Sequence, residues 1–165
     1  MLRQRWVSSA VLILSLAVAQ MATAEGTNVA FGGLRADTTL PVEVKADSLS
    51  ISQADGTALF TGNVLVTQGE MRPSATEIKV EYSADKTGIA KLYATGKVLL
   101  VNAKGAAQAD QAVYTIATGE VVMSGNVLLT QGQAAMSAEN LVIDLTSGTG
   151  RLEGRVTTTF TPGKN

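Results

Sequence analysis

The sequence predicts an all-β fold, a repeat-built roll of two facing sheets with open ends, on three observations. A short pattern occurs four times, as Phe-Thr-Gly-Asn-Val-Leu-Val from Phe60, Ala-Thr-Gly-Lys-Val-Leu-Leu from Ala94, Met-Ser-Gly-Asn-Val-Leu-Leu from Met123 and Leu-Glu-Gly-Arg-Val-Thr-Thr from Leu152. The copies are evenly spaced: an alanine opens a second extended run at Ala46, Ala75, Ala109 and Ala138, ahead of Gly62, Gly96, Gly125 and Gly154, and each glycine precedes the next alanine by 13 residues. The alanine-to-glycine interval is 16 residues in three units and 21 in the second, giving a 29-residue unit whose second copy carries five extra residues around Ala-Asp-Lys-Thr-Gly at 84–88. Such a period belongs to stacked supersecondary units. Outside the first 24 residues, helical periodicity is absent and extended runs alternate with turn residues.

Residues 1–24 read as a cleaved secretory signal peptide: Arg3 and Arg5, an apolar run from Val7 to Ala19, and Ala-Thr-Ala at 22–24 as a small-residue cleavage site. The apolar run is shorter than the about 20 residues that span a bilayer. Removing the leader takes two of the 13 basic residues and none of the 14 acidic ones, leaving a net charge of −3 and no general attraction to nucleic acid. With no cysteine, stability rests on burial and ladder hydrogen bonds in one domain, and the mature chain is expected to be soluble.

Residues 25–40 read as a flexible N-terminal segment, 41–160 as the β domain and 161–165 as a short tail. Pro-Val-Glu-Val-Lys-Ala at 41–46 is an edge strand, its proline at the first position where a missing donor is tolerated. Extended runs follow at 47–52, 57–68, 74–82, 88–102, 108–117, 119–130, 134–145 and 150–160. Between them lie Ala-Asp-Gly at 54–56, Gly69 to Pro73, residues 84–88, Ala-Lys-Gly at 103–105, Thr118 with Gly119, Gln131 to Gln133 and Thr-Ser-Gly at 146–148, all turn chemistry.

Parity within the units separates the faces. Leu49 and Ile51 align with Ile78 and Val80, with Ala112 and Tyr114, and with Leu141 and Ile143. Phe60, Val64 and Val66 align with Ala94, Val98 and Leu100, then Met123, Val127 and Leu129, then Leu152 and Val156. These side chains, with Val44 of the first strand, form apolar columns on one face. Leu65, Leu99 and Leu128 fall out of phase, so part of the other face is covered or offered to a partner. A one-residue phase slip recurs between each repeat alanine and the run after it, which predicts a bulge, and the repeated glycine predicts a bend.

The chemistry is sparse. Histidine and cysteine are absent, removing the commonest general base, transition-metal ligand and thiol nucleophile. Asp47, Asp110 and Glu139 each follow a repeat alanine, but one acid per layer without a glycine-aspartate nonapeptide reads as turn capping rather than calcium binding. Gly96-Lys97 lacks the rest of a phosphate loop, and no carboxylate pair is singled out for glycoside cleavage. No catalytic residue, metal site or cofactor is predicted.

Pro-Val-Glu-Val-Lys-Ala-Asp-Ser-Leu from Pro41, Phe-Thr-Gly-Asn-Val-Leu-Val-Thr-Gln-Gly from Phe60, Met-Ser-Gly-Asn-Val-Leu-Leu from Met123 and Arg-Val-Thr-Thr from Arg155 resemble, in order, the signature stretches of the periplasmic lipopolysaccharide-transport protein A, or OstA-like, family. The resemblance covers about residues 41–160. It implies a twisted, V-shaped β-jellyroll that carries lipopolysaccharide through the periplasm between an inner-membrane extraction complex and an outer-membrane insertion complex, its members joined end to end. It also implies lipid contacts at Val42, Tyr114 and Ile116, and more weakly at Val101, where the family's aromatic ring is missing. The long lysine-rich tail of some members is missing too.

Layers about 4.8 Å apart make the columns a continuous apolar strip on which acyl chains could lie. At roughly 0.8 kcal/mol per buried methylene, a twelve-carbon chain supplies about 10 kcal/mol of gross driving force, so a reversible carrier must bury it partially. The end strands, Pro41, Val42, Glu43, Val44 and Lys45 at one end and Arg155, Val156, Thr157, Thr158, Thr159 and Phe160 at the other, lack the charge clusters that keep edges solitary, which predicts head-to-tail strand addition to itself or to related domains. Two alternatives stand beside the lipid carrier: a structural β-repeat filament or adhesion protein, and a membrane-anchored adaptor subunit of the same transport system. Arg72, Lys97, Lys104 and Arg151 are the cations that could meet lipid phosphates.

Overall fold

A computed structural model of the chain describes residues 27–30 and 36–161. The leader and the last four residues lie outside them. The described residues contain strands and no helix: β1 Thr27–Ala30, β2 Glu43–Lys45, β3 Ser48–Ser52, β4 Thr57–Thr67, β5 Arg72–Tyr82, β6 Ile89–Asn102, β7 Gly105–Thr115, β8 Glu120–Gln131, β9 Ala134–Asp144, β10 Thr149–Glu153 and β11 Thr157–Phe160. All pairings are antiparallel, and β4 to β9 form a continuous meander.

Each long strand breaks in the middle, and the break makes two layers from one sheet. Register shifts fall between Thr61 and Val64, Thr95 and Val98, and Ser124 and Val127, where a glycine and its successor are inserted opposite a single residue of the next strand. Both inserted residues are left-handed: φ is +78° at Gly62 and +47° at Asn63, and +78° at Gly125 and +47° at Asn126. Glycine takes such a conformation freely and asparagine tolerates it, while Lys97 at φ +52° and Arg155 at +43° adopt it in the other two repeats, so the glycine is the part all four share. The predicted bend and bulge are therefore one feature.

On one side of the break β3, the leading halves of β4, β6 and β8, the trailing halves of β5, β7 and β9, then β10 and β1 form the first layer. On the other side β2, the remaining halves and β11 form the second. The sequence reads 150–160 as one run, but it divides at Gly154 into β10 and β11, as the first unit divides into β2 and β3. The five extra residues of the second unit lengthen the β5–β6 hairpin, where Ser83 and Thr87 donate to Asp85. Strand β7 starts three residues earlier than predicted, at Gly105. Within the segment read as flexible, Thr27–Ala30 pairs with β10 and covers its outer edge.

Candidate functional site

The cross-strand registers assemble the interior from four rows of side chains. In the first layer one row runs Ile51, Ala58, Val80, Leu92, Tyr114, Val121 and Ile143, and the next runs Leu49, Phe60, Ile78, Ala94, Ala112, Met123, Leu141 and Leu152. In the second layer Val64, Ala75, Val98, Ala109, Val127 and Ala138 form the row beside the bend. Val44 and Val66, then Pro73, Leu100, Ala107, Leu129, Met136 and Thr158, form the row beyond it. Directly opposed residues share a face, so each row crosses the strands in steps of about 4.8 Å. The two layers bury these rows against each other in one apolar cluster. A cavity of about 50 Å³ remains at its centre, lined by Val66, Pro73, Ile78, Leu92, Ala94, Val98, Leu100, Ala112, Tyr114, Val121 and Met123.

Most residues predicted to meet lipid lie on these rows. Val64, Val66, Ile78, Val80, Val98, Leu100, Tyr114, Met123, Val127, Leu129, Leu141, Ile143 and Leu152 are buried, and Val42, Val44, Phe60, Ile116 and Val156 are partly buried against them. Three differ. Leu49 and Ile51 face the interior but stay 51% and 63% exposed, because β3 is the end of its layer and no opposing side chain covers them. Val101 is paired with exposed Arg72 and lies on the outer face of the second layer, one residue out of phase with buried Leu100. The strip is also not an open surface: among the described residues its middle is packed, and large apolar side chains emerge at the ends, Leu49 and Ile51 at one and Phe160, 69% exposed, at the other. Out-of-phase Leu65 and Leu99 are exposed on the outer face.

Sequence reasoning missed Leu92, Val121 and Leu145, although each extends a predicted alternation by one step and parity alone could have found it. It also missed Gln68. This residue continues the Val64, Val66 alternation onto the apolar face as the buried polar residue among the core residues, 2% exposed. Its Nε2 donates to Thr38 O at 3.2 Å and Leu40 O at 3.0 Å, and its Oε1 accepts from Tyr114 Oη at 3.2 Å. Burial pushes the Tyr114 phenol above its ordinary pKa, with the Gln68 contact opposing it.

The repeat acids lie at the bends, away from the interior. Asn63 Nδ2 donates to Asp47 Oδ2 and Asn126 Nδ2 to Asp110 Oδ2, each at 2.8 Å, and Arg155 pairs with Glu139 at 2.6 Å. In the second unit Thr76 Oγ1 donates instead to Gly96 O at 3.0 Å. These are clasps across the bend. Among the described residues no group of three acids, histidines or cysteines is placed to hold a metal. Of the cations considered for phosphate, Arg72 donates to Gly69 O and Met71 O, and Arg151 pairs with Glu153. No helix of the described residues is long and apolar enough to cross a membrane.

Comparison with known proteins agrees with this architecture. The structure superposes on the crystal structure of LptH, described as the LptA-homologous periplasmic component of the lipopolysaccharide transport device of Pseudomonas aeruginosa, with a TM-score of 0.68 and 19% identity, covering 77% of this chain and 99% of that one. At that identity the likeness shows the fold, an all-β jellyroll. An uncharacterized protein of Rhizobium meliloti (strain 1021) is 25% identical over 127 residues, 71% of this chain and 68% of that protein. The profile of the LptA/(LptD N-terminal domain) LPS transport proteins matches residues 43–149, from β2 to the start of β10. With that match spanning well over half of its length, the chain belongs to the LptA/LptD N-terminal family of lipopolysaccharide transport proteins, which are transport proteins and not enzymes.

Proposed function

We propose that the protein is a periplasmic carrier that takes lipopolysaccharide by its acyl chains between the two layers and passes it lengthwise to copies of itself and to related β domains of the inner-membrane and outer-membrane transport components. The observation that carries this reading is the course of the interior rows. The two first-layer rows begin at exposed Leu49 and Ile51 on β3, and the outer second-layer row ends at Thr158 on β11, two residues before exposed Phe160; β3 and β11 are each paired along one edge only. An apolar row that ends uncovered beside unpaired backbone groups fits continuation by another strand. The contact would be heterologous, the β2 and β3 end of one molecule meeting the β11 end of the next, and such contacts extend rather than close. The signal-peptide pattern read in residues 1–24 and the likeness to periplasmic LptH support the compartment.

The test has two arms. Mass spectrometry of gently purified protein should find retained lipopolysaccharide, and the near-isosteric Val127→Thr should lower retention while the β circular-dichroism spectrum is preserved. Sedimentation from about 1 to 200 µM should show mass rising with concentration, and Phe160→Asp should suppress the rise. Absence of lipid from the native protein, together with a constant monomer mass, would refute the carrier and leave a structural β-repeat.

A further inference from the structure

The layers are joined along the bend but separate along their other margin, which is lined by the β7–β8 and β9–β10 turns of the first layer and the β4–β5 turn of the second. Residues Ala36–Leu40 lie across that margin. Ala36 N donates to Leu145 O at 3.1 Å, at the end of β9, and Thr38 Cγ2 lies 3.6 Å from where a Cβ on Gly119 would stand, in the β7–β8 turn. Leu40 Cδ1 lies 3.0 Å from where a Cβ on Gly69 would stand, in the β4–β5 turn. The segment therefore touches both layers along the side where they could part.

Gln68 is the point at which this strap is fixed. A polar side chain on an apolar row is costly unless all its groups are bonded, and here every bond serves the margin. The amide NH2 holds two strap carbonyls, and the amide oxygen takes the phenol of Tyr114, a wall residue of the central cavity, from the opposite layer. Asp37 shapes the strap itself, accepting from Thr39 N at 3.0 Å and from the Thr39 hydroxyl. One buried side chain thus ties strap, second layer and first layer together beside the cavity. A 50 Å³ void is far below the about 300 Å³ at which small-ligand sites begin, so an acyl chain is admitted only if the layers separate.

We infer that residues Ala36–Leu40 are a lateral gate for acyl chains, and that Gln68, through Tyr114, is its latch. This rests on the lipid-carrier reading above. Opening breaks the two Gln68 bonds to the strap and frees the margin beside Tyr114. Lipid is then admitted from the side, at the margin opposite the bend, and slides along the rows from there.

The experiment combines hydrogen exchange with stopped-flow binding of a fluorescently labelled lipopolysaccharide. Gln68→Met keeps an unbranched apolar side chain of similar length and removes all three bonds. It is expected to raise exchange of the Ala36 amide and to speed lipopolysaccharide association about tenfold, the weight of one to two lost hydrogen bonds. Asp37→Ala, at an exposed position, loosens the strap without touching the core. It should change both readouts in the same direction, and it carries the test if Gln68→Met fails to fold. Faster strap exchange with unchanged association would overturn the gate, as would strap exchange unaltered in both variants. Faster strap exchange with no lipopolysaccharide binding by any form, native included, would instead identify the carrier reading as the failure and remove the gate with it.

Discussion

Replacing Gly125 by alanine tests whether the bends are held by the acids that follow each repeat alanine. Gly125 has φ +78°, and a Cβ built on it would lie 2.6 Å from Asp110 Oδ2. The left-handed backbone alone costs an L-residue about 1–2 kcal/mol. The clash adds to this, because Asp110 must swing away and lose its 2.8 Å bond from Asn126, worth about 1 kcal/mol at an exposed site. Gly125→Ala should therefore cost about 2–3 kcal/mol. Gly132 is the internal control: its φ is +57° with nothing within 4 Å of an added Cβ, so Gly132→Ala carries the backbone cost alone. Urea unfolding followed by circular dichroism separates the two, since 1 kcal/mol moves the midpoint by about 0.5 M at a slope near 2 kcal/mol per molar. The Asp110→Ala, Gly125→Ala double variant closes a cycle. Removing the carboxylate relieves the 2.6 Å contact, though the Asp110 Cβ at 3.0 Å remains, and both single variants lose the same Asn126 bond, so the double variant should be about 1 kcal/mol more stable than the sum of the singles implies. Additivity within about 0.3 kcal/mol, or equal losses for Gly125→Ala and Gly132→Ala, would refute the clasp.

Three further outcomes are expected. Met123→Ala truncates a fully buried side chain at the cavity wall and should lower stability by about 2–5 kcal/mol in the same urea assay. Asp85, held down to about 2 by the Ser83 hydroxyl and then by Thr87, has its folded pKa below the unfolded value near 3.8. Its contribution is present above that unfolded value and lost as pH falls through about 2, so a carboxyl NMR titration should place its midpoint there, and Ser83→Ala should move it upward. Tyr114, raised by burial, favours the protonated phenol in the folded state. Its contribution is complete below the ordinary value of 10 and is lost as pH climbs through the raised one, so the phenolate difference signal removed by Tyr114→Phe should have its midpoint above pH 10.

Much of this fold is legible because its repeats state the same instruction four times. Gly-Asn at 62–63 and 125–126 marks the bends, and the alternation on either side of each glycine names the interior residues through Leu141 and Leu152. What parity does not give is how far a row stays covered. Leu49 and Ile51 obey the same alternation as Ile78 and Val80, yet they stand open because burial depends on a partner across the fold and β3 has none. Val101 rests on analogy of position, whereas parity puts it on the outer face opposite Arg72. Gln68 is the converse case. Its composition says surface and its register says core, and only the placement of Thr38, Leu40 and Tyr114 shows why both are satisfied. The pairing of Thr27–Ala30 with β10 joins the start of the domain to its end, a contact that no local pattern announces.

The packed interior also bears on how a lipid carrier releases its cargo. If the rows were an open trough, each twelve-carbon chain would gain about 10 kcal/mol on docking, and several together would exceed the affinity from which exchange is possible. Here the resting state already satisfies the rows with one another: Met123, Leu141, Ile143 and Leu152 are fully buried. On the proposed reading, parting the layers would give up part of that burial, and this loss would offset much of what the acyl chains gain by replacing it. The net affinity would then be a difference between two apolar contacts of similar kind, which would let the layers close behind a departing chain. Directional movement need not come from a gradient of greasiness along the rows. On the proposed reading, easy movement would require only that closing behind the lipid be as favourable as opening ahead of it is costly, which a 29-residue unit repeated with the same glycine, alanine and alternation favours, and net direction would then come from supply of lipid at one end and its removal at the other.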